Sequence, residues 1–264
     1  MKRILFLLPV LLSVSMYAQN KTLKQKIEKR FNSSGILTFQ IIEDFDNNGF
    51  RIKRSVLGSS GELKSYRAYN NDSIERVVAD TGFNNKSEII DIWSYKYDEN
   101  NEVIRQTRIY PQRGDTYVEI YSITYDSSTN IIEKKQFDKD STLDWVYNYE
   151  FNEENLEIRF TSKFQGTIRN ERTYKYKNGL KVEEILYDYE NEELRQRKNT
   201  LYFLKYDKSR KLVRKIVHSV AEHLEKKIIT KYMYTYDNYG NVTLEERKKD
   251  GKRDSKKKFE YKYW

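Results

Sequence analysis

The chain has 264 residues, no cysteine and a formal net charge of +9, with apolar residues at 38 %, charged residues at 34 % and 23 tyrosines. Without cysteine there is neither a disulfide framework nor a lipid-modified cysteine anchor. The aromatic content excludes a disordered chain, and the low apolar content excludes a deep aliphatic core; it suits thin sheets with one aromatic face and one wet face.

Met1 to Ala18 reads as a secretory signal peptide. Lys2-Arg3 is the positive start, "ILFLLPVLLSVSMY" the apolar run, and Ala18 the small residue before the cut. The run is short for a membrane span of about 20 residues. Export from a bacterial cytoplasm is the expectation, to a periplasmic, outer-surface or extracellular place. No later segment is long and apolar enough to cross a membrane as a helix.

Residues 19–36 are expected to form a short helix and cap. In "KTLKQKIEKRFN", Lys21 to Asn32, the apolar residues Leu23, Ile27 and Phe31 fall four apart, and Ser33-Ser34-Gly35 ends the pattern. Such an element would cover the first open strand edge of the domain that follows.

Residues 37–264 repeat one sentence. Phe45, Tyr69, Tyr97, Tyr125, Phe151, Tyr176, Tyr206, Tyr236 and Tyr263 recur every 24 to 30 residues. Most close an aromatic-x-aromatic pair, which puts two rings on one strand face. An Asp or Asn usually follows, whose side chain can bond the backbone two residues on. Gly or Asn then supplies a position tolerant of positive φ. An alternating strand comes next, then a second turn such as "GSSG" at 58–61, "PQRGD" at 111–115, "DKDS" at 138–141 or "DG" at 250–251. Two strands and two turns per period predict consecutive antiparallel hairpins. "LVRKIVHSVAEHLEKKII", Leu212 to Ile229, fits a helix by spacing. The repeat register reads it instead as two strands joined near Ala221-Glu222.

Tyr236-Asp237-x-x-Gly240-Asn241-Val242 resembles the tyrosine–aspartate motif of the YD-repeat (rearrangement hotspot) proteins, and Tyr97-Asp98, Tyr125-Asp126 and Tyr206-Asp207 match its first half. The resemblance implies a meandering antiparallel sheet that curls, open or partly closed, and a tendency to act as scaffold or binding surface. The toxin-shell role of large family members is not expected here, because no C-terminal domain follows the last repeat.

No catalytic constellation stands out. His218 and His223 lie five apart, which suits neither a helical nor a strand metal site, and no phosphate-cradling glycine loop or nucleophile elbow occurs. No enzyme activity, cofactor or metal is expected. Charge is more informative. Arg247 to Lys258 holds eight basic residues against two acidic, so +6 of the +7 that remains without the leader sits in one hairpin. Lys248, Lys249, Lys252, Arg253, Lys256, Lys257 and Lys258 are the candidate contacts to an anionic polymer, lipid head group or acidic partner. The alternative is a solvated tip that keeps the last strand unpaired. Nucleic acid is not the expected anion, because export removes the protein from it.

An outer-membrane barrel is the structural rival. About eighteen strands fit one, but "KKFEYKYW" places lysines on both strand faces, where a lipid-facing band tolerates them poorly. The expected function is a non-enzymatic binding or interaction scaffold at the cell envelope, with a carbohydrate or anionic-polymer binding module as the alternative and the membrane barrel as the second.

Overall fold

A computed structural model describes residues 22–190, 193–209, 211–221 and 226–263. The proposed leader, His223, the junction near Ala221-Glu222 and Trp264 lie outside them. The described residues form eighteen strands in chain order. They are β1 (Leu23–Phe31), β2 (Leu37–Phe45), β3 (Arg51–Gly58), β4 (Leu63–Asn71), β5 (Val77–Asn84) and β6 (Ile89–Tyr97). Next come β7 (Val103–Tyr110), β8 (Asp115–Tyr125), β9 (Ile131–Phe137), β10 (Leu143–Phe151), β11 (Glu157–Phe164) and β12 (Thr167–Lys177). The last six are β13 (Leu180–Glu190), β14 (Glu193–Tyr206), β15 (Leu212–Ala221), β16 (Lys226–Tyr236), β17 (Val242–Lys249) and β18 (Lys252–Tyr263).

Every strand pairs antiparallel with its sequence neighbours, and β1 also pairs with β18, with Ile27 opposite Glu260 and Glu28 opposite Phe259. The sheet is therefore a closed barrel. This corrects the expectation of a curled, open or partly closed sheet, and it leaves no strand edge to cap. It also corrects the helix over Lys21–Asn32: among the described residues there is no helix, and Leu23–Phe31 is strand β1. The physical reason is that a spacing of four is even. Leu23, Ile27 and Phe31 share a strand face as readily as a helix face, and pairing with a strand from the other end of the chain decides. On either side of residues 222–225, Leu212–Ala221 is strand β15 and Lys226–Ile229 begins strand β16, as the repeat register requires.

Local chemistry makes the turns. In the turns after the repeated aromatic strands, Asp46, Asp72, Asp98, Asp126, Asn152, Asp207 and Asp237 each accept the amides two and four residues on through one side-chain oxygen. The fourth residue of the turn takes positive φ: Gly49 at 90°, Glu75 at 73°, Asn101 at 67°, Thr129 at 65°, Asn155 at 57° and Gly240 at 92°. Because hairpins alternate ends, all these turns gather at one rim of the barrel. Gly240→Val is expected to lower stability by about 1–2 kcal/mol through its left-handed backbone, since an added Cβ meets nothing nearer than the flexible Lys211 side chain, 3.4 Å away. Thr129 shows that a β-branched residue is borne there, so the variant should fold with a lowered melting temperature. An unchanged melting temperature would remove the turn's role.

In four of the units the second aromatic ties its hairpin to the unit before. Tyr97 donates its hydroxyl to the Val77 carbonyl at 2.7 Å, Tyr176 to that of Glu157 at 2.8 Å, and Tyr236 to that of Leu212 at 2.7 Å. Tyr125 reaches the Asp98 side chain at 2.6 Å. Burial works against the Asp98 carboxylate, but this bond and the amides it accepts hold its pKa below the usual aspartate value. A cation released by the preceding turn covers the same rings: Arg51 lies 4.3 Å from the Tyr69 centroid and Arg76 4.8 Å from that of Tyr97. The repeated tyrosine is thus a seam between hairpins. The aliphatic core is correspondingly thin: among the described residues the buried large apolar ones are Ile27 and Ile41, 9 % and 5 % exposed.

Candidate functional site on the inner wall

Strand alternation sorts the side chains into two faces, and exposure says which is concave. On β14, Leu201 and Phe203 are exposed while Thr200 is buried and Tyr202 half-buried. On β6, Ser94 is exposed while Trp93 and Tyr95 are half-buried. Side-chain chemistry alone would not expose phenylalanine and bury threonine. Curvature does so: a closed barrel splays its outer side chains and crowds its inner ones. The face carrying Trp93, Tyr95 and Thr200 therefore lines the lumen. Each strand packs principally on its hydrogen-bonded neighbours, and a barrel of this strand number leaves a channel rather than a filled core.

Registers place Asp80 opposite Trp93, Gly82 opposite Asp91 and Trp93 opposite Arg108 on this inner face of β5, β6 and β7. Asp91 is 2 % exposed and Asp80 6 %. Buried carboxylates need partners, and both have them. Asp91 accepts Arg67 at 2.7 Å through one oxygen, and Arg108 at 2.6 Å through the other. The Trp93 indole N–H also points at it, 3.3 Å away. Asp80 accepts Arg67 and, at 3.0 Å, the Tyr95 hydroxyl. Burial opposes ionisation of Asp91, yet the two guanidinium groups outweigh it and hold its pKa below the usual aspartate value. Burial and the bond to Asp80 push the Tyr95 phenol up. Gly82 is required here, because a Cβ would come within 2.5 Å of an Asp91 oxygen and 2.9 Å of the Arg67 guanidinium.

Above this network lies a hollow of about 390 Å³ lined by Arg51, Arg67, Tyr69, Trp93, Tyr95 and Arg108, among others. Its cations lie against rings, with Arg108 4.6 Å from the Trp93 centroid within the hollow and 4.3 Å from that of Tyr110 beside it. Trp93 and Tyr95 are nearly parallel, 6.2 Å apart and 11° between planes. A second ladder of the same design stands on β10, where Trp145 and Tyr147 are 5.9 Å apart with 6° between planes. Phe164 and Phe160 on β11 extend it.

No protein-family model matches the chain, and no curated protein matches it. Among solved structures, the chain is similar to a porin-like protein from Bacteroides uniformis ATCC 8492, at 8 % identity and a TM-score of 0.46, over 91 % of this chain and 98 % of that one. The likeness is too distant to assign a family.

The seven basic candidates do not form one surface. Registers put Lys249 and Lys257 on the inner wall and Lys248, Arg253, Lys256 and Lys258 on the outer one, with Lys252 beside the turn. Several are also neutralised: Lys256 and Arg253 each lie 3.4 Å from Glu246, and Lys257 lies 3.3 Å from Glu245. Lys258 lies 5.6 Å from the Phe31 ring, across the seam. The idea that this tip keeps the last strand unpaired is also corrected, since β18 pairs with β1 from Lys256 to Tyr263. His218 sits on the outer wall against Phe203, ring centroids 4.9 Å apart. Sequence reasoning passed over the inner-wall residues. A signal was present: only "WSYKY" at 93–97 and "WVYNYEF" at 145–151 precede the repeated aromatic pair with tryptophan.

Proposed function

We propose that the protein is a non-enzymatic binding barrel of the bacterial envelope, which holds its ligand against the inner wall. The observation that carries this reading is the hollow between Arg51, Tyr69, Trp93 and Arg108. Rings and guanidinium groups there are held in place by buried carboxylates. Those carboxylates are committed to arginine, tryptophan and tyrosine partners, so they serve as supports rather than as acid or base. The YD-like repeats would supply the scaffold and the leader the route to the envelope.

A membrane barrel is the second reading, favoured by closure of an even number of antiparallel strands. One sector of the outer wall weighs against it, whereas Ile109, Leu201, Phe203 and Ile229 expose apolar side chains elsewhere on that wall. Glu246 and Lys248 on β17, Lys256, Lys258, Glu260 and Lys262 on β18, and Lys29 on β1 form a charged outer sector. A lysine at mid-depth of a lipid-facing strand costs about 2–4 kcal/mol. Cell fractionation separates the two readings. Release by osmotic shock or a salt wash is expected, and a strict requirement for detergent would establish the membrane barrel instead.

A further inference from the structure

The two tryptophan ladders share one wall, and what lies between them is continuous. From β6 to β10 the inner face reads Trp93 and Tyr95, then Gln106 and Arg108, Glu119 and Tyr121, Lys134 and Gln136, and finally Trp145 and Tyr147. These residues bond to one another. Gln106 and Tyr121 both donate to Glu119, and Tyr147 donates to Gln136 at 3.1 Å. Lys134 lies 4.3 Å from the Tyr121 centroid. The wall is thus a belt of amide, hydroxyl and carboxylate groups with an aromatic platform at each end. Four inter-strand spacings separate the platforms, about 19 Å across the strands.

We infer that this belt holds a linear, neutral polysaccharide, with sugar rings resting on the Trp93–Tyr95 and Trp145–Tyr147 platforms and hydroxyl groups bonding to the residues between them. The inference rests on the binding-barrel reading and names its ligand class. Three features select that ligand. Aromatic rings offer flat apolar faces to the C–H faces of sugars, while leaving polar neighbours to bond hydroxyls. The charges on the wall balance: Asp80 and Asp91 stand against Arg67 and Arg108, Glu43 lies 2.9 Å from Arg51, and Glu119 and Lys134 bring one charge of each sign. The ligand therefore need not bring charge. The separation of the platforms asks for a chain several sugars long rather than a single sugar.

Affinity electrophoresis of the full exported chain in gels carrying amylose, xyloglucan, a linear mannan or polygalacturonate tests the inference. Retardation by at least one neutral polysaccharide is expected, with oligosaccharides long enough to reach both platforms competing far better than disaccharides. Trp93→Ala and Trp145→Ala should each weaken binding about tenfold, the effect of one lost aromatic platform, and the double variant should lose it. Trp145→Phe, which keeps a ring, should retain most of the binding and guards against misfolding as the cause of loss. No retardation by any neutral polysaccharide, or retardation by polygalacturonate alone that salt abolishes, would overturn the inference. Binding untouched by both tryptophan variants would do the same. Osmotic-shock release without glycan binding would sink this inference alone, whereas a detergent requirement would sink the envelope-barrel reading beneath it.

Discussion

Replacing Ile27 with proline is expected to lower the unfolding free energy by about 3 kcal/mol or more, because proline removes a ladder hydrogen bond and is tolerated only at sheet edges. Ile27 is 9 % exposed and sits mid-strand in β1, opposite Ile42 of β2 and Glu260 of β18. In an open array β1 would be an edge, and half of its amides would face water. In the closed barrel each of them has a neighbouring strand to bond. Chemical denaturation followed by tryptophan fluorescence measures the loss. A change within about 0.5 kcal/mol, the range of surface substitutions, would mean that β1 and β18 are not joined. Hydrogen exchange gives an independent reading: amides on both β1 and β18 should be protected in the native chain and should lose protection together in the variant.

The second large effect is expected at Asp91. Asp91→Ala leaves Arg67 and Arg108 facing each other across the space of the lost carboxylate, and it releases the Trp93 indole. Breaking a buried pair by removing one partner costs about 3–5 kcal/mol when the stranded charge stays buried. Here the two arginine side chains are 30 % and 35 % exposed, so water rehydrates them in part and about 2 kcal/mol is the better expectation. The loss should appear as a lower denaturation midpoint together with altered Trp93 emission. Asp91→Asn keeps an acceptor of the same shape and should cost less than Asp91→Ala. Equal and negligible losses would show that the ion network is decoration on a wall held by backbone pairing alone.

The tyrosine wall also changes a simpler expectation. In a linear array an end unit has fewer neighbours than a central one, so Tyr263 would matter less than Tyr176. Closure removes the ends. Tyr263 accepts the Asn241 side-chain N–H at 2.7 Å and lies against Tyr239, 5.9 Å between ring centroids. Tyr176 makes its own bond to the preceding strand. In the last unit it is Tyr261, donating to the Val242 carbonyl at 2.9 Å, that repeats the bond of Tyr176, while Tyr263 ties in the turn.

What the sequence determined by itself is the part of the fold that local interactions decide. Two-residue alternation set the strands, including Leu212–Ala221 and the strand that begins at Lys226. Asp and Asn at the start of the turns on one rim set the hairpins, because one side-chain oxygen reaches two amides within the same turn. The recurring aromatic pair set which face would carry rings. The Trp93 and Trp145 departures from the repeat were visible as letters, but their neighbours were not, since Arg67, Asp80, Asp91 and Arg108 come from four strands. Only the tertiary structure decided closure, because β1 and β18 meet from opposite ends of the chain and nothing within either strand names its partner. Closure in turn made Lys21–Asn32 contribute a strand instead of a helix. Register decided the fate of the basic hairpin: strand alternation and the bulge between Arg247 and Lys248 send neighbouring lysines to opposite sides of the wall. A run of charge is a property of the chain, whereas a charged surface exists only where pairing turns those side chains the same way.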